Sequence, residues 1–345
     1  MLVPQAMFLS DSICNASWMP YNVSVCQQCY THQTKYLADI NLLYSVTHIA
    51  PIGNIRKSMD DVFASMIHEN SRINGILEIG GGQGTIADMV VGRYEYTIID
   101  PAYTGSQHNR TIIKGFAEDI DISGLDANTL VMSHVFEHLY SPMTMLEKVL
   151  HPGIEYVYIC HPDYDDYTEI MPLTYNILHA EHTFFIDNAF LVGIIERFGF
   201  KKISEVKHSG YAVMYAFQRD AQLASNQSML ANTKTIGNFA RYVDDIQNKI
   251  RKIHDIIDTN VNIPVYIWPC SVHTLSLFYH GLDHTRIAGC LDNSTSKIGK
   301  IMYGYNVKCI AMSNAKEGIV VLNGGCYNRD ILIEQKSGIQ YITFE

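Results

Sequence analysis

The stretch that most constrains the fold is Ile76-Leu-Glu-Ile-Gly-Gly-Gly-Gln-Gly-Thr-Ile-Ala87, followed by Tyr96-Thr-Ile-Ile-Asp100. An apolar run meets a glycine cluster, a short amphipathic segment follows, and a second apolar run ends in an acid. The pattern predicts strand, tight loop, helix, strand, acid. Glycine lets a backbone turn sharply and come close to a ligand. The helix start behind the loop offers free N–H groups, and an acid closing the next strand can hold the two hydroxyls of a ribose.

Two cofactors use this arrangement. Gly82-x-Gly84-x-x-Ala87 fits the loose dinucleotide pattern, with Asp100 near the spacing of ~20 residues. Glu78, Gly80, Gly82 and Gly84 fit the other pattern, an acid two residues before G-x-G-x-G, which holds S-adenosylmethionine. A carboxylate that close repels a pyrophosphate but attracts a ligand carrying an ammonium and a sulfonium. The charge argument therefore favours S-adenosylmethionine. The plain alternative is a glycine turn that binds nothing.

Length and composition bound the rest. At 345 residues the chain has room for two or three domains, and 47% hydrophobic with 17% charged residues describes a well-packed globule. A net charge of −10 argues against general nucleic-acid binding, which needs a basic face. No apolar run approaches the ~18 residues of a membrane span, and no basic segment precedes Met7-Phe-Leu9 as in a signal peptide. Eight scattered cysteines with a single C-x-x-C fit a reducing cytoplasm.

Four regions follow in order. Residues 1–72 contain Cys26-Gln-Gln-Cys29, with Cys14 before it and His32 after it. These could share one tetrahedral zinc; a degenerate knuckle without metal is the other reading. Asp60 to His68 reads as a helix. Residues 73–219 alternate strand and helix. Strands are expected to end at Ile79, to cover Tyr96–Ile99, Thr111–Lys114, Thr129–Ser133 and Tyr156–Cys160, and to close with a Lys202–Val206, Ala212–Gln218 hairpin. Ser141 and Asp187 are expected as helix caps. Seven strands with the glycine loop after the first is the order expected of a class I, Rossmann-like methyltransferase core, an α/β fold. Ligands in such sheets bind outside the carboxyl ends of the strands, where Asp100, Glu118, Ser133, His134 and His138 fall. Residues 220–262 form a linker and helix whose Ile236, Phe239, Val243, Ile246, Ile250, Ile253 and Ile257 make a heptad seam. It suits packing on its own domain, or a dimer. Residues 263–345 are a second, smaller α/β domain without a G-x-G loop, with strands at Pro264–Ile267, Arg286–Leu291, Ile319–Leu322 and Gln340–Phe344.

Several of these segments together resemble one family, the S-adenosylmethionine-dependent C-methyltransferases of deoxysugar nucleotides. Pro4-Gln-Ala-Met-Phe-Leu9 and Val23-Ser-Val-Cys-Gln-Gln-Cys-Tyr-Thr-His-Gln33 are similar to its zinc region. Leu77-Glu-Ile-Gly-Gly-Gly-Gln-Gly84 is similar to its cofactor loop, and His179-Ala-Glu-His-Thr-Phe-Phe185 to its Y-H-E-H-x-x-Y-F segment. Tyr266 to Lys297 is similar to its C-terminal domain. His179 and Ala180 stand where the family has tyrosine and histidine.

The resemblance implies a 4-keto sugar nucleotide as substrate, enolate formation by a base, and attack of the enolate carbon on the sulfonium methyl. It implies His182 as the base, with Glu181 orienting a histidine or binding the sugar. His138 resembles a family active-site histidine, His179 replaces a site tyrosine, and Tyr44 resembles a tyrosine that reaches the site. Exposed loop pair is the plain reading of Glu181-His182, and core residue that of Tyr44. Cys14, Cys26 and Cys29 are the expected metal ligands. Partners are then a small molecule, with no nucleic-acid polymer or membrane, and a monomer or homodimer. An O-methyltransferase of a sugar or glycan precursor would share the cofactor site, and a non-catalytic binding protein would use the heptad helix.

Overall fold

In the computed structural model, residues 9–11, 22–44, 54–90, 94–122, 124–165, 181–208, 212–223, 234–323, 328–333 and 336–344 are described. In chain order their elements begin with β1 (Leu9–Ser10), β2 (Val23–Val25), β3 (His32–Thr34), α1 (Ile40–Leu43), α2 (Asn54–His68), β4 (Gly75–Ile79), α3 (Thr85–Val90), β5 (Glu95–Ile99), β6 (Thr111–Ile113) and β7 (Thr129–Ser133). Next come α4 (Pro142–Val149), β8 (Tyr156–Pro162), β9 (Phe184–Phe185), α5 (Asn188–Arg197), β10 (Phe200–His208), β11 (Ala212–Arg219) and α6 (Lys234–Thr259). The remainder are β12 (Val265–Trp268), α7 (Val272–Tyr279), β13 (Gly289–Asp292), β14 (Ile301–Met302), β15 (Cys309–Ala311), β16 (Gly318–Leu322), α8 (Asn328–Ile333) and β17 (Ile339–Ile342). The chain forms two units, one of Asn22–Asp166 with Glu181–Ile236, the other of Met1–Tyr21, Tyr167–Ala180 and Gly237–Glu345.

The first unit is built on a seven-stranded sheet among the described residues, in the order β10-β11-β8-β7-β4-β5-β6. From β6 to β8 neighbours run parallel; β11 is antiparallel to β8, and β10 to β11. The chain therefore starts its sheet in the middle, winds outward to β6, returns to the other side of β4, and closes with a hairpin whose second strand is inserted. This is the strand order of a class I methyltransferase. β4, β7 and β8 are buried along their whole length, as continuous apolar runs covered on both faces must be.

Side chains alternate between those faces. Leu77, Ile79, Leu130, Met132 and Ile159 join Met145, Leu146, Leu191 and Ile195 of α4 and α5 in one core. Ile76, Ile98, Val131 and Tyr158 join Met59, Phe63, Ile67, Ile86 and Val90 of α2 and α3 in the other. The result is three layers. Asp187 caps α5 as its sequence suggests, its Oδ1 accepting from Phe190 N at 2.7 Å. Ser141 precedes α4 but makes no cap bond. Helix α2 begins at Asn54, six residues before the expected start, because its first turn carries few apolar residues to betray it.

The second unit holds a five-stranded parallel sheet among the described residues, ordered β15-β13-β12-β16-β17. Arg286 lies in a 3₁₀ turn and not in the strand expected there. That turn is fixed by Asp283, whose Oδ1 accepts from Thr285 N. Helix α6 carries the heptad seam. Ile246, Ile250, Ile253 and Ile257 are buried, whereas Val243 is 38% exposed. Lys249 is also buried and donates to Asn323 Oδ1 at 2.8 Å, so this face packs within its own unit. Among the described residues no helix is long and apolar enough to cross a membrane.

Ile253→Ala should therefore destabilise the chain by about 3 kcal/mol, whereas Val243→Ala should change stability by less than about 0.5 kcal/mol. Urea unfolding of the two variants measures both. A seam built for dimerisation would make the two substitutions comparable and the midpoint concentration-dependent.

Candidate functional site

The glycine loop follows β4 directly. Gly80 takes φ +72° and Gly82 φ +55°, left-handed backbone that favours glycine. A Cβ on Gly80 would lie 2.3 Å from Val135 Cγ2, whereas one on Gly82 would meet nothing within 4 Å. Packing thus holds the start of the loop and open space lies over its middle. At Gly84, a Cβ would lie 2.6 Å from the Tyr103 hydroxyl. Asp100 closes β5 and fixes the loop: its Oδ2 accepts from Gly82 N at 2.8 Å and its Oδ1 from Ala102 N at 2.7 Å. Each oxygen retains acceptor capacity for a ribose hydroxyl. Beside it, Asn41, Tyr44, Pro101, Lys114, Gly115 and Phe116 line a cavity of about 250 Å³. The loop is thus open at Gly82, and a cavity lies next to the end of β5.

Glu78 lies beneath the loop. It is 2% exposed, its Oε2 accepts from the Tyr96 hydroxyl at 3.0 Å, and a Cβ on Gly81 would come within 3.3 Å of that oxygen. Burial pushes its carboxyl up to about 7, opposed by the Tyr96 bond and reinforced by the Asp100 charge. Arg110 crosses from the far side, bonding Asp88, the Tyr103 hydroxyl at 3.2 Å and Gly84 O at 3.5 Å.

The carboxyl end of β7 lies where strand order reverses, between β4 and β8. Ser133 Oγ accepts from Arg56 Nη2 at 3.4 Å, and Arg56 is itself held by Asp60 at 3.0 Å. His134 adopts φ +53°, uncommon for a side chain of its size, while its N–H donates to Cys160 O at 2.8 Å. Burial, aided by the Arg56 charge, holds its imidazole well below the usual range and so neutral. Glu118 is half-buried after β6, its carbonyl accepting from Lys148 Nζ at 2.8 Å.

A 3₁₀ turn, Phe136–His138, follows His134. Thr183 ties a second segment to it: its N–H donates to Glu137 O at 2.9 Å and its Oγ1 to Leu139 O at 2.6 Å. The His182 ring thereby stands 4.8 Å from the His138 ring, edge to face, with its Nδ1 3.1 Å from the Tyr164 hydroxyl. Glu181 and His182 lie in a turn but are 3% and 2% exposed. The exposed loop pair allowed by the sequence is corrected: anchoring by Thr183 buries both. Tyr44, half-buried on the cavity, keeps its phenol well above the ordinary range through burial and then the Glu181 and Asp100 charges. His179 and Cys14 lie outside the described residues.

At the N-terminal knuckle, β2 and β3 form a hairpin around Cys26 and Cys29, closed by Cys26 N to Thr31 O at 3.0 Å. The N–H groups of Cys29 and Gln28 lower the Cys26 thiol. His32 is buried on β3. Two thiols are half of a tetrahedral zinc set. Sequence reasoning missed Arg56, Tyr164 and Arg110; Arg56 had a local signal in its i,i+4 pair with Asp60, whereas Tyr164 and Arg110 meet their partners only through the fold.

Residues 53–205 match the family model described as a methyltransferase domain. A search of curated proteins gives no match. Similar solved structures include an O-methyltransferase family protein from Burkholderia thailandensis, at 12% identity over 49% of this chain and 57% of that one, TM-score 0.38. The N-methyltransferase NodS from Bradyrhizobium japonicum, in complex with S-adenosyl-L-homocysteine, is 9% identical over 48% of this chain and 88% of that one, TM-score 0.38. The CurJ carbon methyltransferase is 13% identical over 49% and 56%, TM-score 0.37. The chain thus spans just over half the length of the first and third.

The raised carboxyl of Glu78 has a consequence for stability. Between its ordinary value of 4.5 and about 7, the unfolded chain releases the proton and the folded chain keeps it, so stability falls as pH rises through this window. Glu78→Gln should abolish that slope, gaining roughly 3 kcal/mol on the wild type between pH 4.5 and 8. Melting curves across the range decide it; parallel curves would refute the buried protonated acid.

Proposed function

We propose that this S-adenosylmethionine-dependent methyltransferase transfers its methyl group to a carbon of a 4-keto deoxysugar nucleotide. The loop from Gly80 to Gly84, with Asp100, would hold the donor, which supplies an electrophilic methyl on its sulfonium. The acceptor side is read at the carboxyl ends of β7 and β8, in the region of His138 and His182.

One observation carries this reading. His182 is buried, yet oriented by a defined partner, the Tyr164 hydroxyl on its Nδ1 at 3.1 Å. With Nδ1–H donated to the Tyr164 oxygen, Nε2 keeps a lone pair and can accept a proton. A ketone acidifies its neighbouring C–H, and a histidine removes such a proton near neutral pH without large tuning. The developing enolate oxygen needs a donor that stays protonated. Tyr44 is such a donor, its phenol held protonated by burial and the Glu181 and Asp100 charges. Glu181 serves by orienting a histidine or binding the sugar. The sugar-nucleotide assignment rests on the sequence likeness of the His179–Phe185 segment, the knuckle and the C-terminal region. The division at 72, 219 and 262 belongs to the same reading.

Two measurements test it. S-adenosylhomocysteine should bind at micromolar concentration, and Gly82→Arg, which fills the open space over the loop, should abolish binding. In deuterated water without donor but with chelator, a 4-keto sugar nucleotide should lose the NMR signal of the proton beside its ketone. His182→Gln should slow that exchange by about 100-fold while leaving S-adenosylhomocysteine affinity unchanged. Intact cofactor binding with no exchange would refute the carbon route and favour transfer to oxygen.

A further inference from the structure

Among the described residues, one group of metal-ligand side chains converges: Glu137, His138 and His182, one ligating atom of each lying within 4.8 Å of the others. The group is assembled by backbone. Glu137 and His138 share the 3₁₀ turn after β7, and the Thr183 bonds to Glu137 O and Leu139 O bring His182 alongside it.

Glu137 is the telling member. It is 1% exposed, and neither carboxylate oxygen accepts a hydrogen bond. Its Oε1 lies 3.3 Å from His134 Nδ1 and 4.0 Å from His138 Nε2. His161, fully buried at the end of β8, also has neither ring nitrogen hydrogen-bonded. A desolvated carboxylate left without proton or cation is strongly unfavourable, and two imidazoles stand on one side of this one.

We propose that Glu137, His138 and His182 bind a divalent first-row transition-metal cation. Two imidazoles and one carboxylate suit Mn²⁺, Co²⁺ or Zn²⁺ better than Mg²⁺ or Ca²⁺, which prefer oxygen alone. Bonds of about 2.1 Å place ligand atoms roughly 3–4 Å apart, so the group draws in by about an ångström on loading. Tyr164, on Nδ1 of His182, supplies the outer hydrogen bond that orients a ligating histidine. Three protein ligands leave positions open, and these take a pair of neighbouring oxygens, such as the keto and adjacent hydroxyl oxygens of a sugar. This last assignment rests on the acceptor reading given above. Metal and proton compete for one histidine, so the loaded state and the base role of His182 are alternatives; chelator in the exchange assay keeps them apart.

The test is a Mn²⁺ titration of the full chain, stripped with chelator, following free Mn²⁺ by electron paramagnetic resonance. One ion per chain should bind at micromolar concentration. Glu137→Gln and His138→Asn should each weaken it at least ~10-fold while still melting in one cooperative transition. Cys26→Ser should bind as wild type does. Absence of saturable binding by folded wild type, equal binding by all variants, or loss confined to Cys26→Ser would each overturn the proposal. S-adenosylhomocysteine titrations on the same samples report separately on the cofactor reading: their failure would sink that reading and leave the Mn²⁺ result to decide this one.

Discussion

Five neighbouring strands of the first unit run parallel, and that constraint decides where chemistry can occur. Parallel strands must return by crossovers on the faces, so both faces are filled by helices and apolar side chains. What remains for polar groups is the carboxyl edge, where loops leave the sheet. Asp100, Ser133, His134 and the turn of Glu137 and His138 gather there although they are distant in sequence. The reversal of strand order on either side of β4 opens the crevice. The glycine loop is the first element to leave that edge, and the Asp100 carboxylate, bonded to Gly82 N and Ala102 N, couples its shape to the end of β5.

The same constraint makes the polar residues costly. Glu78 is embedded in the central strand, and burial drives it toward its protonated form. Glu137 is buried at the edge with unanswered oxygens, and the imidazoles of His134 and His161 are desolvated to neutrality. Their environments differ: Glu78 has one hydroxyl donor and a covered position beneath the loop, whereas Glu137 is flanked by several imidazoles. Buried ionisable groups of this kind are costly compared with apolar residues of similar size, and the gathering of Glu137, His134 and His161 at one sheet edge agrees with the binding role proposed for it.

Much of this sheet was legible in the sequence. The central strands are apolar runs closed by turn signals, and the spacing of Glu78, Gly80, Gly82, Gly84 and Asp100 marks the loop and its acid. Local signals also reveal Asp187 as a cap, through its position before an apolar-periodic run. Contacts between distant segments leave no such trace. Arg56 reaches Ser133 across 77 residues, and the burial of Glu181 and His182 depends on Thr183 bonding a turn 44 to 46 residues earlier. The seam of α6 shows a subtler limit. Its spacing establishes that one face is apolar, but only the bond from Lys249 to Asn323 and the exposure of Val243 tell what that face packs on.

The two rims of the seven-stranded sheet are unlike its centre. At one rim β6 is three residues long. At the other, β10 alternates exposed and half-buried positions after Phe200, carries Lys201, Lys202 and Lys207, and breaks register between Lys202 and Ser204. Short length, lysines and a bulge all discourage an incoming strand. The unit can thus hold a long, apolar, fully hydrogen-bonded centre at high cellular concentration without templating growth of its sheet into aggregates. The hairpin order that inserts β11 leaves the charged strand, and not the apolar one, facing outward.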